Sequence, residues 1–425
     1  MPLGVLLIAY LRTGGLSVSV EFGVMSVALA FGLTLATERA VRLDHATPAS
    51  DTPGRAGIDG AVAALAVGSV GAIAAGMTIL LEHGWLTIAL ALLCPAIAWI
   101  EVARPVPALR WTGAGIALVV AARLFLMPGV TDEPGTLPVL NWLLYAHGVP
   151  AAAFAATAWR LGRTRDDPVV VRLFEALAVL QGVATVLLLI HHAMNDGRVT
   201  GSIGGLAEQS LMTLAVLGSG LVLFRLARTR PGRVLDLAGA GLTGLGVGFV
   251  ALAHLFALNP LFTGEPVGMS ALSGLLALGY LVPAIALGAA SFAVARVPFV
   301  APMVTPMRSL AALTAGAWLT LQVRTLFHRP HLDAGGVVDA ELWAYSAAWL
   351  VSGIVVLVAG VKLGSRPLRL ASAAIVTLVV FKVFLIDMAE LTGVLRALSF
   401  IGLGLVLVGL GAFYQRLLRT GRQQG

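Results

Sequence analysis

Three basic residues, Arg123, His254 and Lys382, interrupt otherwise apolar runs. An ionisable group at the centre of a membrane span costs at least about 2.5–3.5 kcal/mol, less near the interface, so each needs a partner or water. Placed at one depth, the three would suit a cationic pocket for a phosphate, a carboxylate or a lipid headgroup. The plainer readings are snorkelling to the headgroups and salt bridges to neighbouring acids. Glu82, Glu208 and Glu341 each open an apolar run. A carboxylate there meets the positive end of a helix dipole, worth about 0.3–1 kcal/mol. A functional reading pairs them with the ends of the preceding runs, His191-His192 and Arg324 with His328, as ligand-gripping or proton-transfer groups. Glu341 with Arg324 is the expected ion pair.

Asp387 and Glu390, one turn apart beyond Lys382, are weak candidates for a catalytic acid pair, with Glu208 a third and Asp132-Glu133 in a Pro-rich loop weaker still. His191, His192, Asp196, His328 and His331 could in principle hold a metal. Adjacent helical histidines point about 100° apart, however, and no HExxH-type spacing puts two on one face, so no metal is assigned. No phosphate-binding loop, nucleophile elbow or dinucleotide fingerprint occurs, and no cofactor is expected.

The elements that must position these residues follow from composition. Of 425 residues, 58% are hydrophobic and only 12% charged, with a mean hydropathy of +0.93. A soluble domain is nearer a quarter charged, so the expected fold is all-α, a polytopic transmembrane bundle. Apolar runs predict spans near 2–11, 16–38, 58–81, 85–102, 109–127, 139–160, 169–193, 207–227, 235–258, 270–294, 304–327, 341–362, 368–387 and 393–415, thus 13 or 14 passes, the short first being the uncertain one. Residues 39–59 form a polar linker. No cleavable signal peptide is expected at the N-terminus. The lone cysteine, Cys94, lies inside an apolar run, which excludes an internal disulfide.

The net charge of +7 would suggest nucleic acid in a soluble protein, but here the basic residues sit in short loops, and no nucleic acid partner is expected. Assigning alternate loops and the C-terminal tail to one side collects 21 of the 28 Lys and Arg there and leaves 7 elsewhere. By the positive-inside rule that side is cytoplasmic, and the C-terminus with it. Seven of eight histidines and most acids fall toward the opposite side.

The chain also aligns with itself. An offset of 133 pairs Pro150 with Pro283, Glu208 with Glu341, Ser219 with Ser352 and Gly220 with Gly353; an offset of 259 pairs Glu82 with Glu341 and Arg123 with Lys382. The expected organisation is 1–81 as N-terminal helices, then tandem parallel four-helix copies at 82–207, 208–340 and a truncated 341–425. Glycines such as Gly244, Gly248, Gly402 and Gly404 are expected at close helix contacts.

Several stretches carry a resemblance. Glu341-Leu-Trp-Ala-Tyr-Ser-Ala-Ala-Trp349, Phe381-Lys-Val-Phe-Leu-Ile-Asp-Met-Ala-Glu-Leu391, Arg396-Ala-Leu-Ser-Phe-Ile-Gly-Leu-Gly404 and Asn141-Trp-Leu-Leu-Tyr-Ala-His-Gly-Val-Pro150 resemble the bacterial predicted membrane proteins of domain-of-unknown-function family 2339. The resemblance is good over about 320–417, fair over 80–260 and thin before. It implies the fold and a bacterial inner-membrane location, and it brings no activity. Members are usually longer, so the chain resembles the C-terminal half of one. The expected function is non-enzymatic binding, with or without movement, of an anionic lipid or lipid-linked glycan through an outward polar pocket. The alternatives are an enzyme acting on a lipid-linked substrate at the periplasmic face and a structural envelope scaffold. The expected partner is the lipid bilayer, with the oligomeric state open.

Overall fold

A computed structural model describes residues 2–14, 17–46, 55–126, 135–163, 168–230, 232–268 and 274–387, with scattered positions between 401 and 411. Among the described residues there is no strand. Backbone in hydrocarbon finds no water, so each apolar run satisfies its N–H and C=O groups within itself as a helix. The α-helices are α1 (Pro2–Thr13), α2 (Val20–Ala46), α3 (Arg55–Leu80), α4 (His83–Ala103), α5 (Pro107–Leu126), α6 (Val149–Gly162) and α7 (Pro168–Met194). They continue as α8 (Leu206–Thr229), α9 (Arg233–Gly248), α10 (Pro260–Thr263), α11 (Val282–Val294), α12 (Val304–Thr325), α13 (Asp339–Lys362) and α14 (Arg366–Lys382).

Ten helices among the described residues are long and apolar enough to cross a membrane. Of the other expected spans, 2–11 is the 12-residue α1, about 18 Å long and short for a hydrocarbon core of about 30 Å. Span 139–160 is helical only from residue 142, the approach to it being irregular, and 304–327 is the less apolar α12. Span 393–415 falls largely outside the described residues. The expected linker 39–59 is shortened from both sides, because α2 runs on to Ala46 and α3 starts at Arg55. Beyond the apolar run α2 carries the i,i+4 pair Glu38–Arg42, and Glu38 also bonds Arg104 after α4.

Four π-helical segments adjoin the α-helices: π1 (Leu144–Gly148), π2 (Phe249–Ala257), π3 (Ala277–Leu281) and π4 (Val383–Asp387). Such wide turns are rare and are frequent at functional sites. π2 and π3 are tied reciprocally. His254 Nδ1 lies 2.5 Å from the Gly279 carbonyl oxygen, and the Tyr280 hydroxyl donates to the His254 carbonyl at 2.7 Å.

The chain divides into two compact units. The first comprises residues 1–204, 211–246 and 293–301; its core joins Leu90, Cys94 and Ala98 of α4, Ala117 and Val120 of α5, Phe154 and Ala158 of α6 and Phe174 of α7. The second comprises 205–210, 247–292 and 302 onward, with a core of Leu206, Val267, Leu276, Tyr280, Leu321 and Leu332.

The glycines at close contacts are not those expected. A Cβ at Gly244, Gly248 or Gly404 would meet nothing within 4 Å, and one at Gly402 only an ordinary contact with Phe384. Close approaches to a neighbouring helix's backbone include Gly220, where a Cβ would stand 2.7 Å from Thr243 Oγ1 and 3.1 Å from the Gly239 oxygen, and Gly360, 2.9 Å from the Arg369 nitrogen. Glycine content marks a close-packing helix without saying which face is packed. Gly360→Leu should therefore destabilise by about 1–3 kcal/mol, read as a lower Tm in detergent, whereas Gly244→Leu should stay within about 0.5 kcal/mol of the parent or rise.

Candidate functional site

The start of α13 gathers more chemistry than any other described part of the second unit. Val338 is extended and α13 begins behind it, putting Asp339 and Glu341 in the first turn. Glu341 is fully buried, so its carboxylate must be satisfied by protein donors. Arg324, in the last turn of α12, donates from Nη1 to Oε1 at 3.0 Å; Tyr345, one turn along α13, donates to the same oxygen at 2.7 Å. His328 Nε2 lies 2.8 Å from Oε2. The expected Glu341–Arg324 pair is formed, with the Arg324 side chain itself only 11% exposed.

Arg324 also fastens the loop between the two helices, donating from Nε to the Leu332 oxygen at 2.6 Å and from Nη2 to the Gly335 oxygen at 3.3 Å. Gly335 has φ +79°, and a Cβ there would stand 3.0 Å from the His328 ring. Loop and ring thus fit only with glycine at that turn.

A second cluster uses the same helix. Lys382 Nζ donates to the Leu342 carbonyl at 2.8 Å, to Ser346 Oγ at 2.7 Å and to Asp387 Oδ1 at 2.6 Å. Ser346 Oγ in turn donates to Asp387 Oδ2 at 2.5 Å. Lys382 and Asp387 are five residues apart, a spacing that misses the i,i+3 and i,i+4 rule of an α-helix. π4 supplies the wider turn that lets them meet.

The other candidates are held elsewhere. Arg123, in the first unit, donates from Nε to Thr87 Oγ1 at 3.1 Å. His254 is fully buried between π2 and π3. Arg123 and His254 thus lie in different units, and Lys382 is joined to an acid, one of the plainer readings of its position. Glu208 is buried in the first turn of α8, where Glu265 also accepts the Leu206 N–H at 3.0 Å. Glu82 is exposed at the N-cap of α4.

His191 and His192, both buried, close α7. His192 Nδ1 lies 3.2 Å from the Asn141 amide nitrogen and Nε2 2.8 Å from the Gly135 oxygen, which fits a neutral ring protonated on Nε2. Asn195 reaches His191 Nδ1 at 3.2 Å. His331 Nδ1 lies 2.9 Å from the Gly264 oxygen. Asp196 takes a positive φ of 52° in the turn after α7. Glu390 and Asp132-Glu133 lie outside the described residues. No group of three His, Cys, Asp or Glu side chains that could hold a metal ion occurs among the described residues.

Sequence reasoning missed Tyr345 and Ser346, although each stands four residues after a residue of the cluster, Glu341 and Leu342. It also passed over the buried pair His147 and Gln181, whose Nδ1 and amide nitrogen are 2.5 Å apart, and Asn141, whose Oδ1 accepts the Leu143 N–H at the start of π1.

The model of the family described as predicted membrane protein, DUF2339, matches residues 1–417. The chain belongs to that family. The match takes in the first 80 residues or so, where the resemblance read from the residues is thin. No curated protein matches the chain, and no solved structure does.

Two stability predictions follow from the geometry. Glu341→Gln strands the nearly buried Arg324 and should cost about 3–5 kcal/mol, seen as a lowered Tm in detergent, while Glu82→Gln stays within about 0.5 kcal/mol. Removing Lys382 and Asp387 together, each to Leu, should cost less than either replacement alone, because a lone buried charge is worse than none; a double-mutant cycle on Tm reads this directly.

Proposed function

We propose that this multi-pass family member binds an anionic lipid or lipid-linked glycan at the start of α13, in the bacterial inner membrane, with its arginine-rich loops and C-terminus cytoplasmic. The single observation carrying the reading is that Arg324, His328 and Lys382 converge with Glu341 and Asp387 on one helix start drawn from three helices. Ionisable groups at membrane depth are costly and mark ligand or ion paths. On this reading Asp387 stands in for the ligand: its carboxylate neutralises Lys382 until a phosphate or carboxylate replaces it. Arg324, His328 and Glu341 brace the mouth, and of the trio Arg123, His254 and Lys382 only Lys382 grips. Glu82, Glu208, His191 and His192 belong to the corresponding helix ends of the other copies.

The tandem organisation has support of its own. α4, α8 and α13 each end 21 residues after their glutamate, and the next helix begins four residues later in all three cases. π1 and π3 start 133 residues apart, at Leu144 and Ala277, the offset that also pairs Gly220 with Gly353. A Cβ at either of those glycines would crowd the following helix.

One observation favours a second reading, an enzyme acting on a lipid-linked substrate: Ser346 Oγ sits between the Lys382 ammonium and the Asp387 carboxylate, which could take its proton.

Native mass spectrometry from mild detergent tests the binding reading. The parent protein should carry an anionic species that Lys382→Leu loses and Asp387→Asn keeps or strengthens. An empty parent, or a species kept equally by Lys382→Leu, overturns it. Turnover lost in Ser346→Ala with the ligand retained would favour the enzyme. For sidedness, Cys94 is buried, so an impermeant maleimide on intact cells should label Arg198→Cys and spare Arg228→Cys. The reverse pattern inverts the topology.

A further inference from the structure

In the first unit α6, α7, α8 and α9 surround a half-open groove of about 950 Å³, near the top of the range of about 300–1,000 Å³ typical of ligand pockets. Its charged lining consists of Arg163, Arg230 and Glu175, all at one end; the rest is apolar or small apart from Ser219. Arg163 lies over the ring of Trp159, 4.7 Å from its centroid, and both arginines are exposed. Gly182 stands seven residues, about 10 Å of helix rise, deeper than Glu175, and Gly218 lines the facing helix. A Cβ at either glycine would meet nothing within 4 Å, so the walls between these helices stand apart.

We propose that this groove binds one anionic glycerophospholipid of the bilayer, its headgroup phosphate between Arg163 and Arg230 and an acyl chain laid over Gly182 and Gly218. Two guanidiniums against one carboxylate leave the mouth net positive, complementary to a monoanionic headgroup. Basic pockets between membrane helices are suited to such headgroups. A water-soluble anion would leave the apolar length unfilled. A neutral lipid would leave the arginines unanswered. The proposal is independent of the Lys382 site, which belongs to the other unit.

Trp159 supplies the readout. The full chain is placed in phosphatidylcholine nanodiscs containing rising fractions of chain-brominated phosphatidylglycerol or chain-brominated phosphatidylcholine. The quenching lost in Trp159→Phe is assigned to Trp159. Half-quenching should need roughly a tenfold smaller fraction of the anionic lipid than of the neutral one. Arg163→Ala with Arg230→Ala should bring the two curves together, and Gly182→Leu with Gly218→Leu should weaken both. Coincident curves in the parent would reduce the groove to ordinary annular lipid and overturn the proposal. A preference that survives the arginine replacements, or quenching untouched by the leucines, would overturn it equally.

Discussion

Glu341 has no exposed surface, and a carboxylate so placed must receive its hydrogen bonds from the protein or not be charged at all. Much of the last described third of the chain is arranged around that requirement. α12 ends where Arg324 can reach Oε1, the following loop bends back until His328 meets Oε2, and α13 starts so that Tyr345 lies one turn above. Arg324 then spends its remaining donors on loop carbonyls, so that the loop's path and the carboxylate's neutralisation are one problem with one solution. Removing a single partner leaves a charge stranded, which is why such clusters tolerate joint replacement better than piecemeal change.

Much of this was legible in the residues. Long apolar runs separated by short basic loops leave a helical membrane bundle as the fold, and an acid opening one run after a base closing the previous run announces Glu341 with Arg324. Helix hairpins bring such ends together whatever the details of packing. Lys382 was visible as an ionisable group in need of a partner, but its partner was not. Asp387 lies five positions away, and only a π turn puts that spacing on one face. Nor could composition tell a glycine that meets a neighbouring backbone, such as Gly360, from Gly244, which meets nothing: Gly244 lies in the more glycine-rich run and is the one left open. Periodicity locates helices and leaves their rotation open.

Short polar side chains do a second kind of joining. His192 is held by an asparagine amide and a loop carbonyl, and His254 and Tyr280 bond each other's helix backbone. These links use neutral groups and backbone oxygens, so they carry no charge into the membrane. They fasten helices whose side chains gain little by leaving lipid for one another.

The π segments have a consequence for how such a chain can grow. Arg123 and Lys382 each stand 16 residues into their helix, but His254 stands 21 residues into its own, which passes from α9 directly into the nine-residue π2. On the tandem reading, the middle copy carries five more residues than the others between its helix start and its basic residue. In a soluble protein extra residues usually surface as a loop. Hydrocarbon forbids that, since a loop would bare unbonded amides to lipid. The extra residues then stay helical, a few in the widened turns of π2 and the rest as added length, since α9 with π2 outruns α5 by five residues. Length variation among relatives is to be sought within the membrane segments as well as between them.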